Sequence, residues 1–525
     1  MSRVEPSNSK ESSPTNGIHE IHKLNAVWDQ KTTNWRSIYI SSLLAYVTAA
    51  QFSLYFSSLW PYLQILDHHV TENFFGTTVA AYSCGQIIGS PVFGYISNRM
   101  KNIRVPLYAC LSLSLVGNFL YICAQLLPHD RKYAILIGRF ILGLGASAIG
   151  LLRSYVATAS TKDDRSRAIA FMTGGFALGM TSGPILQFFF VPLGYPGFRI
   201  VNELLLNVYT APAFCGIFMN TLGILLTRFC FVETYAGIIN KVEVQENGEL
   251  RKVKIAKYDR VAVGVCYATR FTQMFTYTNL ETLGAPLSMT IFAFNKMEVV
   301  RYLAIAHACL SAIAFCVYMS FVVFKLDKYI NFRRHVIVAL FGLIVFHLVS
   351  FSWPFLSGHL QTYTNEDLKN RTHEPLGCNL DRFSWCNEIK PLNVWVYFVS
   401  FAVFIGLCFP NINITVGTLF SNILGPRFQG TQQGIMQMSG SFARLTGPII
   451  ISSLYSTYGP RHAWILEIVV LTATIGLWLI FYKRMIPLEV EEQPPPLPST
   501  SPPSLSTPSY ESTSNSDGQT NQMRF

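Results

Sequence analysis

Phe75-Gly-Thr-Thr-Val-Ala-Ala-Tyr-Ser-Cys-Gly-Gln-Ile-Ile-Gly-Ser-Pro-Val-Phe-Gly94-Tyr-Ile-Ser-Asn98-Arg99-Met-Lys101-Asn-Ile-Arg104 is the stretch whose reading decides the fold. Residues 75–96 carry no charge, and a helix needs about 20 apolar residues to cross the hydrocarbon core of a bilayer. Arg99, Lys101 and Arg104 crowd the polar turn that follows, the pattern of a cytoplasmic loop. Gly94 sits one turn ahead, where the missing Cβ lets a neighbouring helix come close. Asn98 and Arg99 are placed to hydrogen-bond the exposed end of a neighbouring helix.

Composition points the same way. Charged residues make up 13% of the chain, against about 25% in soluble domains, while hydrophobic residues make up 50%. The net charge of +11 comes from basic residues scattered through short loops. That distribution argues for a lipid bilayer as partner and against nucleic acid, which needs a basic patch. Residues 1–36 lack an apolar segment of the kind a cleavable signal carries. Of the 11 cysteines, most lie inside apolar runs, where Cys acts as a small hydrophobe. No C-x-x-C or Cys/His cluster is present to hold a metal. No metal and no cofactor are expected. With no nucleotide loop or catalytic triad in the chain, an enzyme is not expected either.

Apolar segments recur along the chain at 38–63, 75–96, 105–126, 133–156, 168–190 and 209–232. After a Lys-rich interval they resume at 261–286, 302–324, 336–355, 394–419, 432–454 and 464–482. The reading is an all-α membrane protein of twelve transmembrane helices in two six-helix halves, residues 37–232 and 261–484, joined by a cytosolic linker at 233–260. The tails, 1–36 and a Pro/Ser-rich 485–525, are expected to be disordered. A cytosolic N-terminus gathers Arg99, Lys101, Arg104, Lys162, Arg165, Arg167, Arg251, Lys252, Arg333, Arg334, Lys483 and Arg484 on one side, with Lys241 and Lys254 of the linker. The long loop 356–390 then faces the lumen. It carries a glycosylation sequon at Asn370-Arg-Thr372, and also Cys378 and Cys386. In an oxidising compartment a bridge between these two is expected, two free thiols being the alternative.

Several residues inside the spans are candidates for transport. Arg139 lies about 10 Å along its span at 1.5 Å per residue. It either faces a cavity or snorkels outward from a helix end. Gly143 and Gly145 serve close helix packing. Gly179, Gly183 and Pro184 repeat along one face of the fifth span, and Arg444, Gly447 and Pro448 echo them in the eleventh. Arg270 and Glu281 are eleven residues apart, three helical turns, and so share a face. Glu281 is either a proton-titrating group or the structural partner of an arginine. Arg139, Arg270 and Arg444 outnumber the acids available to a central cavity, which favours an anionic substrate. His307, His347 and Glu467 are weaker candidates, read as packing or helix-end groups.

Gly94-x-x-x-Asn98-Arg99 resembles the G-x-x-x-D-R loop signature of the major facilitator superfamily, with Asn98 where the family has an acid, so a charge-based latch is expected to be weaker here. Lys325-Leu-Asp327-Lys328, closing with Arg333-Arg334, occupies the matching place in the second half. Arg139-x-x-x-Gly143-x-Gly145 and Gly179-x-x-x-Gly183-Pro184 resemble further motifs of the family, the second of them an antiporter motif. The resemblance implies two parallel six-helix repeats. Exchange is weakly favoured as the transport mode.

Trp60-Pro-Tyr-Leu-Gln64, Ala81-Tyr-Ser-Cys-Gly-Gln86, Arg153-Ser-Tyr155, Leu280-Glu281-Thr282, Ile423-Leu-Gly-Pro426 and Gly459-Pro-Arg461 occur in order along the membrane core. They resemble the branch of that superfamily that includes the endolysosomal membrane protein of late-infantile neuronal ceroid lipofuscinosis. This resemblance implies a lysosomal or late endosomal membrane and a chloride conductance, with the plasma membrane as the alternative location. The branch's N-terminal Leu-Leu sorting signal is missing from residues 1–36. Tyr482-Lys-Arg-Met485 has the form of a tyrosine signal for sorting adaptors but lies at the membrane edge.

The expected function is transport of a small molecule or ion, an anion such as chloride, across the endolysosomal membrane. A non-transporting receptor or scaffold is the competing class, but it has no need of buried charge. The orientation is testable. Glycosidase treatment is expected to shift the parent protein to the mobility of Asn370→Gln, with no further shift of the variant; a glycan persisting on Asn370→Gln would overturn the assignment.

Overall fold

A computed structural model describes residues 32–488 apart from 56–57, 68–69, 71, 128, 202–203, 239–242, 247–248, 253–256 and 371–375. Both expected disordered tails, Lys241 and Lys254 of the linker, and Arg371 and Thr372 of the sequon fall outside these residues, the tails apart from 32–36 and 485–488. The first half contains α1 (Trp35–Leu54), α2 (Leu59–Leu66), α3 (Glu72–Met100), α4 (Arg104–Cys123), α5 (Arg131–Gly145), α6 (Ala148–Ala159), α7 (Arg165–Phe190) and α8 (Ala211–Phe229). The second contains α9 (Arg260–Ile291), α10 (Lys296–Val323), α11 (Phe332–Val349), the short α12 (Asn365–Asn370), α13 (Val394–Ser400), α14 (Gly406–Leu424), α15 (Gly430–Tyr458) and α16 (Pro460–Ile480).

Joined across their breaks and without the short α12, these helices form twelve helical segments among the described residues, of which nine qualify as membrane spans by length and composition. The first pass bends between α1 and α2, and the fourth between α5 and α6 at Ala146–Ser147, where a single helix was expected in each case. The tenth runs from α13 to α14 through one π-helical turn, Phe401–Ile405. Asparagine and aspartate caps start many passes: Asp259 accepts from the Val261 and Ala262 amides, and Asn295 forms a capping box with Glu298. Such caps matter because a helix end near hydrocarbon has no water to satisfy its amides. Two short antiparallel hairpins, β1–β2 (Phe198–Val201 and Leu204–Leu206) and β3–β4 (Glu243–Glu246 and Glu249–Lys252), decorate the connections. Neither was foreseen from the sequence.

Among the described residues, nine helical segments are long and apolar enough to cross a membrane by length and composition. The other three are α3, α9 and α15, at 29, 32 and 29 residues. Their polarity is the informative feature, since an apolar helix can face lipid all round whereas these must turn Gln, Asn, Arg and Glu inward. The outer helices do the opposite: Phe188 is 71% exposed, Phe229 75% and Ile480 73%. So wide an apolar surface is stable only against lipid tails.

The buried cores segregate. Two clusters draw only on residues 38–231, and the largest only on residues 262–485. A smaller one joins Ala170 of α7 to Tyr318 and Phe321 of α10 and Ile414 of α14. Thr33 donates to Asp164, Arg484 pairs with Asp259, and the Leu488 amide donates to Asn422 O. These contacts gather the ends of the core at one face, here termed the basic face. On the opposite, loop face, Cys378 and Cys386 are disulfide-bonded. Trp385 packs edge-on to Tyr455, 5.3 Å between rings, and Arg461 Nε donates to Ser352 O at 2.7 Å. The Tyr482 sorting form is occupied by the protein itself: Arg333 stacks over its ring at 4.6 Å, and Met485 is fully buried.

Glycines set how closely the helices approach. A Cβ on Gly143 of α5 would overlap the Tyr82 carbonyl of α3, whereas one on Gly264 would meet nothing within 4 Å. Gly143→Leu is therefore expected to cost about 3 kcal/mol or more through overpacking. It should abolish the monodisperse peak of detergent-solubilised protein on fluorescence-detected gel filtration, while Gly264→Leu keeps it.

Candidate functional site

The sequence-predicted arginines converge on the middle of the molecule without sharing one pocket. Arg139 of α5 is 2% exposed, and its guanidinium lies 5.2 Å from the Tyr55 ring and 4.8 Å from the Tyr82 ring. It lines a small cavity with Thr48, Gln51 and Ser114. Facing rings stabilise a desolvated cation by about 2 kcal/mol. Its Nε and Nη1 have no protein hydrogen bond among the described residues. The side chain thus faces a cavity and does not snorkel outward.

Arg270 of α9 lines a second cavity. Its Nη1 donates to Gln273 Oε1 at 3.0 Å and to Asn413 Oδ1 at 2.6 Å. Arg153 of α6 lines the same cavity from the other half, with Gln433 of α15. Arg444 of α15 is half-buried between the two cavities. It donates to Gln86 Oε1 and lies 5.8 Å over the Phe52 ring. Ser441 Oγ donates to the same Gln86 oxygen at 2.7 Å, and Gln86 Nε2 donates to Ala146 O at the α5–α6 break. Gln86 therefore ties α3, the broken fourth pass and α15 together.

Arg153, Arg270 and Arg444 lie within electrostatic range of one another. An acid, Glu281, is exposed on the helix that carries Arg270. Arg444 is its cationic neighbour. Glu281 and Arg270, though on one helix face, do not pair, since eleven residues of helix separate them by about 16 Å. Glu281 makes no hydrogen bond and no ion pair within 4 Å among the described residues. Arg153, Gln86 and Asn413 were missed as site residues, although a polar side chain within an apolar run is the signal that marks each. His347 and His307 pack against Trp464 and Phe401. Glu467 is buried against Asn279, away from these arginines.

Between this site and the basic face the halves are closed. Gly94 meets Gly430 so tightly that a Cβ on either would overlap the other's carbonyl or Asn98. Asn98 Oδ1 accepts the Gly430 amide at 2.7 Å, and its Nδ2 donates to Thr431 Oγ1 at 2.9 Å. The amide thus caps the first turn of α15 from the other half. Arg99, expected to share this role, is exposed and makes no hydrogen bond among the described residues. Arg165 Nη1 adds a bond to Asn422 Oδ1 at 2.7 Å. Gly179 and Gly183 admit α1 against α7, and Gly145 and Gly447 admit Ser114 and Asn279. Pro184 and Pro448 stand inside unbroken helices.

Asn98→Ala is expected to remove about 1 kcal/mol of capping. The apparent melting temperature in detergent should fall, while Asn98→Asp, which can still accept the Gly430 amide and places charge at a helix N-terminus, should retain it.

The pattern of the Major Facilitator Superfamily matches residues 41–363 and 383–512. The chain is 28% identical over 479 residues to major facilitator superfamily domain-containing protein 8 of Xenopus laevis, covering 87% of this chain and 93% of that one. Over 206 residues it is 27% identical to the MFS-type transporter PUL3 of Kluyveromyces lactis, 38% of this chain and 43% of that one. Among solved structures, the human organic anion transporter MFSD10 (TETRAN) superposes with a TM-score of 0.57 at 16% identity, over 84% of this chain and 99% of the other. The proton:xylose symporter XylE superposes with a TM-score of 0.59 at 12% identity, over 87% and 97%. Two packed six-helix halves around a polar centre, matched along most of the chain by the family's own pattern, place this multi-pass membrane protein in the Major Facilitator Superfamily.

Proposed function

We propose that this protein moves a small anion, chloride being the simplest, across the membrane of lysosomes or late endosomes, with both termini in the cytosol. The observation that carries the reading is a cluster of buried positive charge: Arg153 and Arg270 line one cavity, Arg444 lies within electrostatic range of both, and the acid beside Arg444, Glu281, forms no ion pair among the described residues. Uncompensated positive charge within low-dielectric walls concentrates anions and repels cations. Neutral amides (Gln273, Asn413 and Gln86) hold the guanidiniums in place without neutralising them. Transport follows if the Asn98–Gly430 contact opens while the loop face closes, exposing the same cavity to each side in turn. Glu281, exposed beside Arg444, is the group available to respond to luminal pH. The endolysosomal location rests on the ordered strings shared with that branch of the family, and on the 28% identity across most of the chain.

Whole-organelle recording with chloride as the permeant anion tests the reading. Arg270→Gln and Arg444→Gln are each expected to lower anion flux about tenfold, on the scale by which charged clefts concentrate counter-ions, with copy number in the membrane retained. Normal flux per surviving copy would make both arginines structural. Absence of anion flux from the parent protein would favour the receptor or scaffold reading.

A further inference from the structure

A second polar site lies between α9 and α16, outside the arginine-lined cavity. Glu467 of α16, Asn279 and Thr276 of α9 are each 1% exposed. Positions 276 and 279 are one turn apart and so share the helix face turned to α16. Asn279 Nδ2 donates to Glu467 Oε1. Beside that bond, Glu467 Oε2 and Asn279 Oδ1 are buried without a geometric hydrogen-bond partner among the described residues, with the Thr276 hydroxyl close to the carboxyl group. Met274, Phe275, Ala443, Leu466 and Val470 form an apolar cluster from the same three helices.

Nothing nearby balances a charge on Glu467. The titratable or charged groups carried by the helices packed on α16 are Arg260, Cys266, Tyr267, Arg270, Tyr277 and Glu281 of α9, Arg444, Tyr455 and Tyr458 of α15, and Arg333, Arg334, His335 and His347 of α11. None makes a hydrogen bond or ion pair with Glu467 among the described residues. His347 is held by Leu343 O at 2.7 Å, and Arg444 by Gln86. A lone carboxylate in such a place costs many kcal/mol unless it is neutralised. A carboxylic acid, by contrast, complements a primary amide: each offers one donor and one acceptor to the other. One proton on Oε2 supplies the donor that Asn279 Oδ1 lacks.

We propose that Glu467 and Asn279 form a proton-binding site in which Glu467 is held as the neutral acid. The inference is independent of what the central cavity carries. Its position gives the proton a mechanical consequence. Asn279 Oδ1 lies where a Cβ on Gly447 would come within 2.6 Å, so the amide is wedged against α15 one turn from Arg444. Releasing the proton to water leaves a charge that only water can stabilise, and water enters only if α9 and α15 or α16 part. Occupancy of this site therefore favours the packed arrangement of the helices that line the cavity.

Infrared spectroscopy of the purified full-length protein in detergent tests the site directly. At about pH 7 solvent-exposed carboxyls, with ordinary pKa values near 4, are ionised. The parent is expected to show a protonated-carboxyl carbonyl band that shifts in heavy water and disappears in Glu467→Gln. The band should persist in Glu281→Gln and move to higher frequency in Asn279→Ala, which removes its hydrogen-bond partner. A parent spectrum without the band overturns the proposal whether or not any variant folds, and so does a band that survives in Glu467→Gln.

Discussion

An arginine in the middle of a membrane-spanning helix costs roughly 3 kcal/mol to insert, and this chain places Arg139, Arg270 and Arg444 there, with Arg153 beside them. The cost falls only when those side chains face one another's helices and leave lipid to the outer ones. That constraint sorts the molecule. The passes too polar to qualify as spans on composition, α3, α9 and α15, are central, while helices with exposed Phe188, Phe229 and Ile480 turn outward. Tyr55 and Tyr82 take up Arg139 as a cation between ring faces, and amides take up Arg270 and Arg444. The positive charge is accommodated without being cancelled, which is the condition under which a cavity can select an anion.

The second constraint is backbone proximity. Hydrophobic burial does not drive helices together in lipid, so packing depends on small residues and interhelical polar bonds. Gly143 against Tyr82, Gly183 against Ser53 and Gly94 against Gly430 are contacts of this kind. The last pair differs from the others because it joins the halves. It places Asn98 where it can cap α15, at the end of the helix that also carries Arg444 and wedges Asn279. A single helix thus connects the closed basic face, the cavity and the Glu467 site.

Much of this was legible in the sequence. Twelve passes followed from apolar length and loop charge, and the polar turn after 75–96 marked its membrane face before any contact was known. Arg139, Arg270 and Arg444 stood out because ionisable residues are rare in apolar runs. Cys378 and Cys386 were singled out by sharing one polar loop, and Gly94 by its place ahead of a basic turn.

The tertiary structure decided what those residues meet, because that depends on helix rotation and break points that periodicity does not encode. The shared helix face of Arg270 and Glu281 left Glu281 as either a titrating group or the partner of an arginine; packing put it near Arg444, on a different helix. Gln86 looked like one residue of a family string, and only the break at Ala146–Ser147 revealed it as the link among three passes. Arg99 seemed placed to share the role of Asn98, but on the same helix its side chain is exposed. Glu467 was read as a packing residue from its apolar surroundings. Its unpaired oxygen became visible only when Asn279 and Thr276 arrived from a helix nearly two hundred residues earlier, since a hydrogen-bond deficit is a property of a place in space and not of a stretch of chain.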